Sequence, residues 1–334
     1  MDQRRLGRTG RSVSVVGLGT WQLGADWGEV SEGDALAVLD AAAQEGVTFF
    51  DTADVYGDGR SERLIATFLR ERAAGSDSEI TVATKMGRRV DQVPQNYVLD
   101  NFRAWTDRSR RNLGVDTLDL VQLHCPPTSV YSDDAVYDAL DTLVEEGAIA
   151  SYGVSVEKVE EALAAIARPH VATVQIIVNA FRLKPLDDVF PAAAKAGVGL
   201  IVRVPLASGL LSGKYDASTT FADDDHRSYN RDGSAFDVGE TFSGVDYTTG
   251  VSAAAEFGAL VSEQAPAGTT SAQAAIAWVW QHPEVASVIP GARNVDQVRS
   301  NAAAGRVAPL GDAFDQGVRR IYDAHLREAI HPRW

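Results

Sequence analysis

Phe49-Phe50-Asp51-Thr52-Ala53-Asp54-Val55-Tyr56-Gly57 is the stretch from which the fold is read. The run Val47 to Phe50 is apolar and short enough for a buried strand, and it opens into a polar loop. A carboxylate, Asp51, ends the strand, and a phenol, Tyr56, stands on the loop. A strand end fixes the carboxylate, and a loop of this length lets the phenol reach the same pocket. A tyrosine serves as an acid at neutral pH only if something lowers its pKa from about 10. Lys85 is the candidate, at the end of the next strand-like run, Ile80-Thr81-Val82-Ala83-Thr84. A third such run, Leu118 to Leu123, ends in His124. Successive strands therefore deliver Asp51, Tyr56, Lys85 and His124 to their C-terminal ends.

The same alternation continues outward. Ser31 caps a helix with Ala35, Leu36, Val38, Leu39 and Ala42 as its apolar positions. Helices are expected from about Ser61, over Leu99 to Leu113, Ser132 to Glu146, from Glu157, and over Leu186 to Ala196. Strands are expected over Ile149 to Val154, Thr173 to Ile177 and Gly199 to Val204. A helix over Ser271 to Gln281, a strand over Val285 to Ile289 and a helix over Val295 to Asn301 complete the pattern. Regular strand–helix alternation implies a parallel sheet, and chemistry-bearing residues at successive strand ends fit a barrel. Residues 4 to 16 read as a hairpin turning at Gly7-Arg8-Thr9-Gly10. Gly17-Leu18-Gly19-Thr20-Trp21 has two glycines of a dinucleotide fingerprint, but Gln22 replaces the third, so that reading is rejected. The polar, Gly/Asp-rich segment 215–250 breaks the rhythm and is expected to be a long mobile loop over the site.

Composition bounds the function. At 334 residues the chain fits one α/β barrel domain over 1–334. Its 45% apolar content can fill a large core. With 31 basic and 46 acidic residues the net charge is −15, which argues against nucleic acid and anionic membranes as partners. The one cysteine, Cys125, excludes an intramolecular disulfide and fits a reducing cytoplasm; beside the site it is expected to be an inert small side chain. The six histidines are scattered without zinc spacing, so no metal site is expected. Met1-Asp2-Gln3-Arg4-Arg5 has no apolar run behind it and is read as no signal peptide, and no segment reaches the roughly 18 apolar residues of a membrane span.

The sequence resembles the aldo-keto reductases, of a bacterial-type branch. The resemblance is carried by Leu6-Gly7, Gly17-Leu18-Gly19-Thr20-Trp21, Asp51-Thr52-Ala53…Tyr56-Gly57, Thr84-Lys85, Leu123-His124, Gly153-Val154-Ser155, Gln175, Pro205-Leu206…Gly209-Leu210-Leu211-Ser212-Gly213-Lys214 and Ile289-Pro290-Gly291, in order from about residue 5 to 301. It implies a (β/α)8 TIM barrel with long βα loops, plugged at the bottom by the N-terminal hairpin and binding NAD(P)H without a Rossmann domain. It implies Tyr56 as the acid, Lys85 as the cation that stabilises the tyrosinate, Asp51 as the anion that holds Lys85, and His124 as donor to the carbonyl oxygen. Trp21, with Tyr56 and His124, would line the substrate pocket; Trp27 and the 215–250 loop would shape it.

For the cofactor, the resemblance implies contacts from Thr20, from Ser155 and Gln175 to the nicotinamide amide, and from Gly291, Arg293, Gln297 and Asn301 to the adenosine end. Val156 stands where the family usually has Asn. The run Pro205-Leu206-Ala207-Ser208-Gly209-Leu210 can wrap a pyrophosphate with backbone N–H groups. Arg203 stands where most of the family stack an aromatic ring; a planar guanidinium can stack there and brings a charge. Arg293 could pair with a 2′-phosphate, which favours NADPH over NADH. The expected activity is reduction of an aldehyde, ketone or sugar carbonyl. Its alternatives are the reverse alcohol or sugar dehydrogenation and a non-catalytic, NADPH-sensing binding protein. A Schiff-base lyase on Lys85 is disfavoured by the neighbouring Asp51 and Tyr56.

Overall fold

A computed structural model describes residues 1–24, 30–72, 79–223, 225–230 and 241–334. Strands β1 (Gln3–Arg5) and β2 (Ser12–Ser14) form an antiparallel hairpin. A parallel eight-stranded sheet follows in chain order: β3 (Leu18–Gly19), β4 (Phe49–Asp51), β5 (Thr81–Met86), β6 (Leu120–His124), β7 (Tyr152–Ser155), β8 (Thr173–Ile177), β9 (Gly199–Arg203) and β10 (Val285–Val288). Helices α1 (Glu32–Gln44), α2 (Arg60–Arg72), α3 (Leu99–Leu113), α4 (Asp134–Glu145), α5 (Val159–Ile166) and α6 (Pro185–Ala196) follow β3 to β8 in turn. After β9 come α7 (His226–Tyr229), α8 (Tyr247–Gln264) and α9 (Ser271–Trp280); after β10 come α10 (Val295–Ala303), α11 (Gly311–His325) and α12 (Arg327–Ile330). The sheet closes into a (β/α)8 barrel because β3 returns to β10: the Gly17 N–H donates to Val288 O at 2.8 Å and the Gly19 N–H to Pro290 O at 3.1 Å. A Cβ on Gly19 would lie 2.9 Å from Ile289 O, so the seam needs glycine there. That is the physical role of the paired glycines in Gly17-Leu18-Gly19.

The period-2 side-chain alternation of the strands sorts the barrel interior by height. Phe49, Ala83, Leu120, Ile201 and Ala286 point inward and pack with Leu6 and Val13 of the hairpin in a cluster of their own. The hairpin therefore does stopper the N-terminal end. Two residues further along the same strands, the inward positions become Asp51, Lys85, Gln122 and Arg203, all buried. The outward positions Phe50, Val82, Val121 and Leu123 join the larger core beneath the helices.

Several boundaries move. Leu118 and Ile149 meet only as an isolated bridge, so β6 and β7 begin later than the apolar runs suggest. The segment expected as loop to residue 250 yields to α8 at Tyr247, where the Asp246 side chain caps the helix by accepting from the Thr249 N–H. Helices α8 and α11 were not expected at all. They pack on each other, with Phe257 edge-on to Phe314 at 5.9 Å and Leu260 against Gly317. The small residues of α8 hid its periodicity. Within 215–250, the described residues are organised by aromatic contacts that the polar composition masked. Phe221 meets Tyr215 at 5.2 Å and Phe242 at 5.7 Å, and Phe242 meets Tyr247 at 5.2 Å. Residues 224 and 231–240 of that segment, and Trp27, lie outside the described residues. Among the described residues no helix is long and apolar enough to cross a membrane.

Candidate active site

Backbone strain marks one end of the barrel. Among the described residues, the non-glycine positions with positive φ are Asp58, Cys125, Val204, Ala207, Ser208 and Phe242. All but Phe242 lie in loops directly after β4, β6 and β9, at the strands' C-terminal ends. Phe242 is tied to the same face, its N–H donating to Ser208 Oγ at 3.0 Å. A β-branched valine at φ 55° is costly, and such residues persist where the surroundings force them, as around functional sites.

The same face opens into a cavity of about 1040 Å³. Lys85, only 1% exposed, lies behind the lining residues Asp51 and Tyr56. Its Nζ is ion-paired with Asp51 Oδ1, donates to Thr52 O at 2.9 Å and reaches the Tyr56 hydroxyl at 3.4 Å. The other Asp51 oxygen accepts from Gln175 Nε2 at 2.8 Å and Gln122 Nε2 at 3.1 Å. Burial by itself would lower the Lys85 pKa, but Asp51 and then Tyr56 outweigh it, and the ammonium ends above its ordinary value. Tyr56 lies between two rings. Trp21 stacks on it at 6.1 Å, and His124 meets it edge-on at 6.0 Å. Gly57 turns the loop at φ 56°, where a Cβ would meet Gly24 O at 2.1 Å. Thr20 Oγ1 donates to Asp51 O at 2.9 Å, and Ser61 Oγ joins Thr20 Oγ1 at 2.8 Å and Thr52 Oγ1 at 2.9 Å, so the strand end is pinned from α2.

The structure brings most of the expected residues together. Thr20, Trp21, Asp51, Tyr56, His124, Ser155, Gln175 and Arg203 line the cavity, as do Pro205, Leu206, Ser208, Gly291, Arg293, Gln297 and Asn301. Leu210 does not. Its side chain is 1% exposed and packs into the core against Gly250. Gln175 has a second task beside its cavity position, because its amide nitrogen holds Asp51. Val156 is fully buried, with its N–H on Gln175 O at 2.9 Å, and it offers no polar side chain. Cys125 is partly buried, within 3.5 Å of Ser155 Oγ and 3.8 Å of Arg203 Nη2. Gln297 and Asn301 are engaged locally. Gln297 Oε1 accepts from the Arg293 N–H at 2.8 Å, and Asn301 Nδ2 donates to Gly291 O at 3.1 Å.

Sequence reasoning missed Gln122, and its signal was a lone amide at an inward position of an apolar strand. It also missed Arg88, Lys214 and Arg227 in the lining. With Arg203 and Arg293 they make the wall basic, opposed there by Asp51 and Asp296, although the whole chain is acidic. A basic cleft in an acidic protein is suited to an anionic ligand.

The chain matches the Aldo/keto reductase family over residues 15–322. It is 31% identical to an uncharacterized oxidoreductase of Mycobacterium tuberculosis, covering 92% of this chain and 90% of that one. Among solved structures it resembles a glycerol dehydrogenase of Gluconobacter oxydans, with a TM-score of 0.80, 29% identity, and 100% and 98% of the two chains covered. It also resembles an aldo-keto reductase of Bacillus halodurans in its holo form, with a TM-score of 0.76, 25% identity, and 98% and 99% covered.

Proposed function

Because the chain belongs to the aldo/keto reductase family, we propose that it reduces the carbonyl of an aldehyde or ketone to an alcohol with NADPH, and that Tyr56 is the acid. The observation that supports this most directly is the buried Lys85 ammonium, paired with Asp51 and 3.4 Å from the Tyr56 hydroxyl, two residues that line a large cleft.

The residues present suit a dinucleotide. The backbone turns left-handed over Ala207–Ser208–Gly209, and Pro205, Leu206, Ser208 and Gly209 of this turn line the cleft. Arg293 stands just before α10, whose Asn294 cap accepts from the Gln297 N–H at 2.9 Å. NADPH would be held by Thr20, Ser155, Gln175 and Arg203 at its nicotinamide end, by Pro205, Leu206 and Ser208 along the pyrophosphate, and by Gly291, Arg293, Gln297 and Asn301 at the adenosine. NADH would use the same wall without the pairing that Arg293 offers to a 2′-phosphate.

When bound, NADPH supplies the hydride. The carbonyl oxygen lies between Tyr56 and His124, with Trp21 closing the pocket. His124 donates to that oxygen as negative charge develops, and Tyr56 hands over its proton. The phenolate left behind faces the Lys85 ammonium, whose attraction is strong because the surroundings are dry. Asp51 keeps Lys85 charged, and Gln122 and Gln175 keep Asp51 in place.

The similarity to a glycerol dehydrogenase favours a second reading, in which the same groups run backward and the Tyr56 phenolate accepts the hydroxyl proton of a polyol. The test is NADPH oxidation over aldehydes, keto sugars and dicarbonyls, with polyol oxidation beside it, on the parent and Tyr56→Phe. A loss in kcat of about 10²–10⁴-fold at unchanged NADPH affinity is expected. Activity retained by Tyr56→Phe on any substrate removes the assigned acid.

A further inference from the structure

Asp54 is fully buried yet does not line the cavity. Neither of its carboxyl oxygens has a hydrogen-bond partner among the described residues. A buried polar group left this way is destabilising, so its retention asks for a reason. Its backbone, by contrast, is tied on both sides. The Asp54 N–H donates to Lys85 O at 3.1 Å, and Asp54 O accepts from Arg108 Nη1 at 3.1 Å. Nη2 of the same guanidinium donates to Asp58 O at 3.1 Å and Asp58 Oδ1 at 2.8 Å. One side chain from α3 thus fastens both ends of the 54–58 turn, and Tyr56 is its middle residue. Besides Arg108, the turn is held by the Asp54 N–H on Lys85 O, by the Arg89–Asp58 ion pair and by two short-range bonds, Tyr56 N–H to Ala53 O and Asp58 N–H to Val55 O, both 3.1 Å.

The charged groups facing the Asp54 carboxyl come from three directions. Glu62 stands on α2, itself bonded to Thr84 Oγ1 at 2.6 Å and Asn112 Nδ2 at 2.7 Å. Arg108 stands on α3, and Arg89 comes from the loop after β5, ion-paired with Asp58. The Val55 N–H is the nearby backbone donor.

We propose that Asp54 and Arg108 are positioning residues for Tyr56: with the Asp54 carboxyl neutral, Arg108 holds the turn closed and the phenol beside Lys85, and ionised Asp54 draws the guanidinium inward and loosens the turn. The assignment rests on the reading of Tyr56 as the acid. The switch falls in the neutral range: burial first, and then Glu62, push the Asp54 carboxyl up to about 7, against the pull of Arg89, Arg108 and the Val55 N–H. Carbonyl reduction then weakens as pH rises through that value, through a group that touches neither substrate nor cofactor.

Two measurements test this. In the first, the Asp54 carboxyl is followed by ¹³C NMR and identified by its absence in Asp54→Asn, together with the Tyr56 ring signals, identified by their absence in Tyr56→Phe. No substrate is present. The Tyr56 signals are expected to move along the Asp54 titration; Tyr56 signals that stay fixed while Asp54 titrates overturn the proposal. This readout holds whatever reaction the protein performs, so its failure is separable from failure of the Tyr56 assignment. In the second, the pH profile of kcat is compared between the parent, Asp54→Asn and Arg108→Lys. Asp54→Asn should lose the inflection near neutrality with NADPH affinity unchanged. Arg108→Lys keeps the charge but not the fork, and should lower kcat about ten-fold at unchanged NADPH affinity. An inflection that persists in Asp54→Asn, or an Arg108→Lys protein equal to the parent, overturns it.

Discussion

Replacing Asp54 with Asn removes a buried acid and keeps its shape, so the pH dependence of stability should change in a calculable way. The carboxyl rises from an ordinary 3.8 to about 7 in the folded chain, chiefly through burial. Between those values the unfolded chain has released the proton while the folded chain still holds it. The folded state then binds more protons, and stability falls as pH rises. Above about 7 both states are ionised and the loss is complete. Each unit is worth about 1.4 kcal/mol, so a shift of about three units destabilises the parent at high pH by about 4 kcal/mol, of which about 3 kcal/mol accrues between pH 5 and pH 8. Against a typical total of about 5–15 kcal/mol this is a large effect. Urea unfolding followed by tryptophan fluorescence at a series of pH values measures it. The curve of Asp54→Asn should be flatter than the parent's by that amount, with the slope against urea unchanged. Parallel curves would show that Asp54 titrates like an exposed carboxylate, and the reasoning about its burial and the 54–58 turn would fall with them.

Lys85→Met leaves Asp51 buried without its cation and should cost about 3–5 kcal/mol, read as a lowered melting temperature, as well as abolishing turnover. Leu6→Ala opens a cavity in the stopper at the opposite end of the barrel; about 2–5 kcal/mol of stability should be lost while the KM values stay at the parent's. Arg293→Ala should weaken NADPH binding by about ten-fold or more and leave NADH nearly unaffected, measured as two dissociation constants; equal changes would remove Arg293 from 2′-phosphate recognition.

Which residues stand at strand ends was legible in the sequence because it depends on local alternation. Leu99–Leu113 and Thr173–Ile177 fall where their patterns place them, and Asp51, Lys85 and His124 fall at the ends of their strands. Helices α8 and α11 were not legible, because the small residues of α8 carry little periodic signal and each helix is stabilised by the other. The partners of Asp51 were equally hidden. Gln122 and Gln175 are far apart in the chain, and only closure of the barrel sets both amides on one carboxylate.

The sequence by itself determined the parallel barrel and which residues stand at the C-terminal ends of its strands, since each follows from patterns a few residues long. Tertiary structure alone decided that two carboxylates three residues apart have opposite fates. Asp51 turns inward to a buried ammonium and two amides, while Asp54 turns away into a site where, among the described residues, no side chain donates to either oxygen. The reason is geometric. What a side chain meets after a turn is set by the helices and strands that pack against it, and those come from distant parts of the chain.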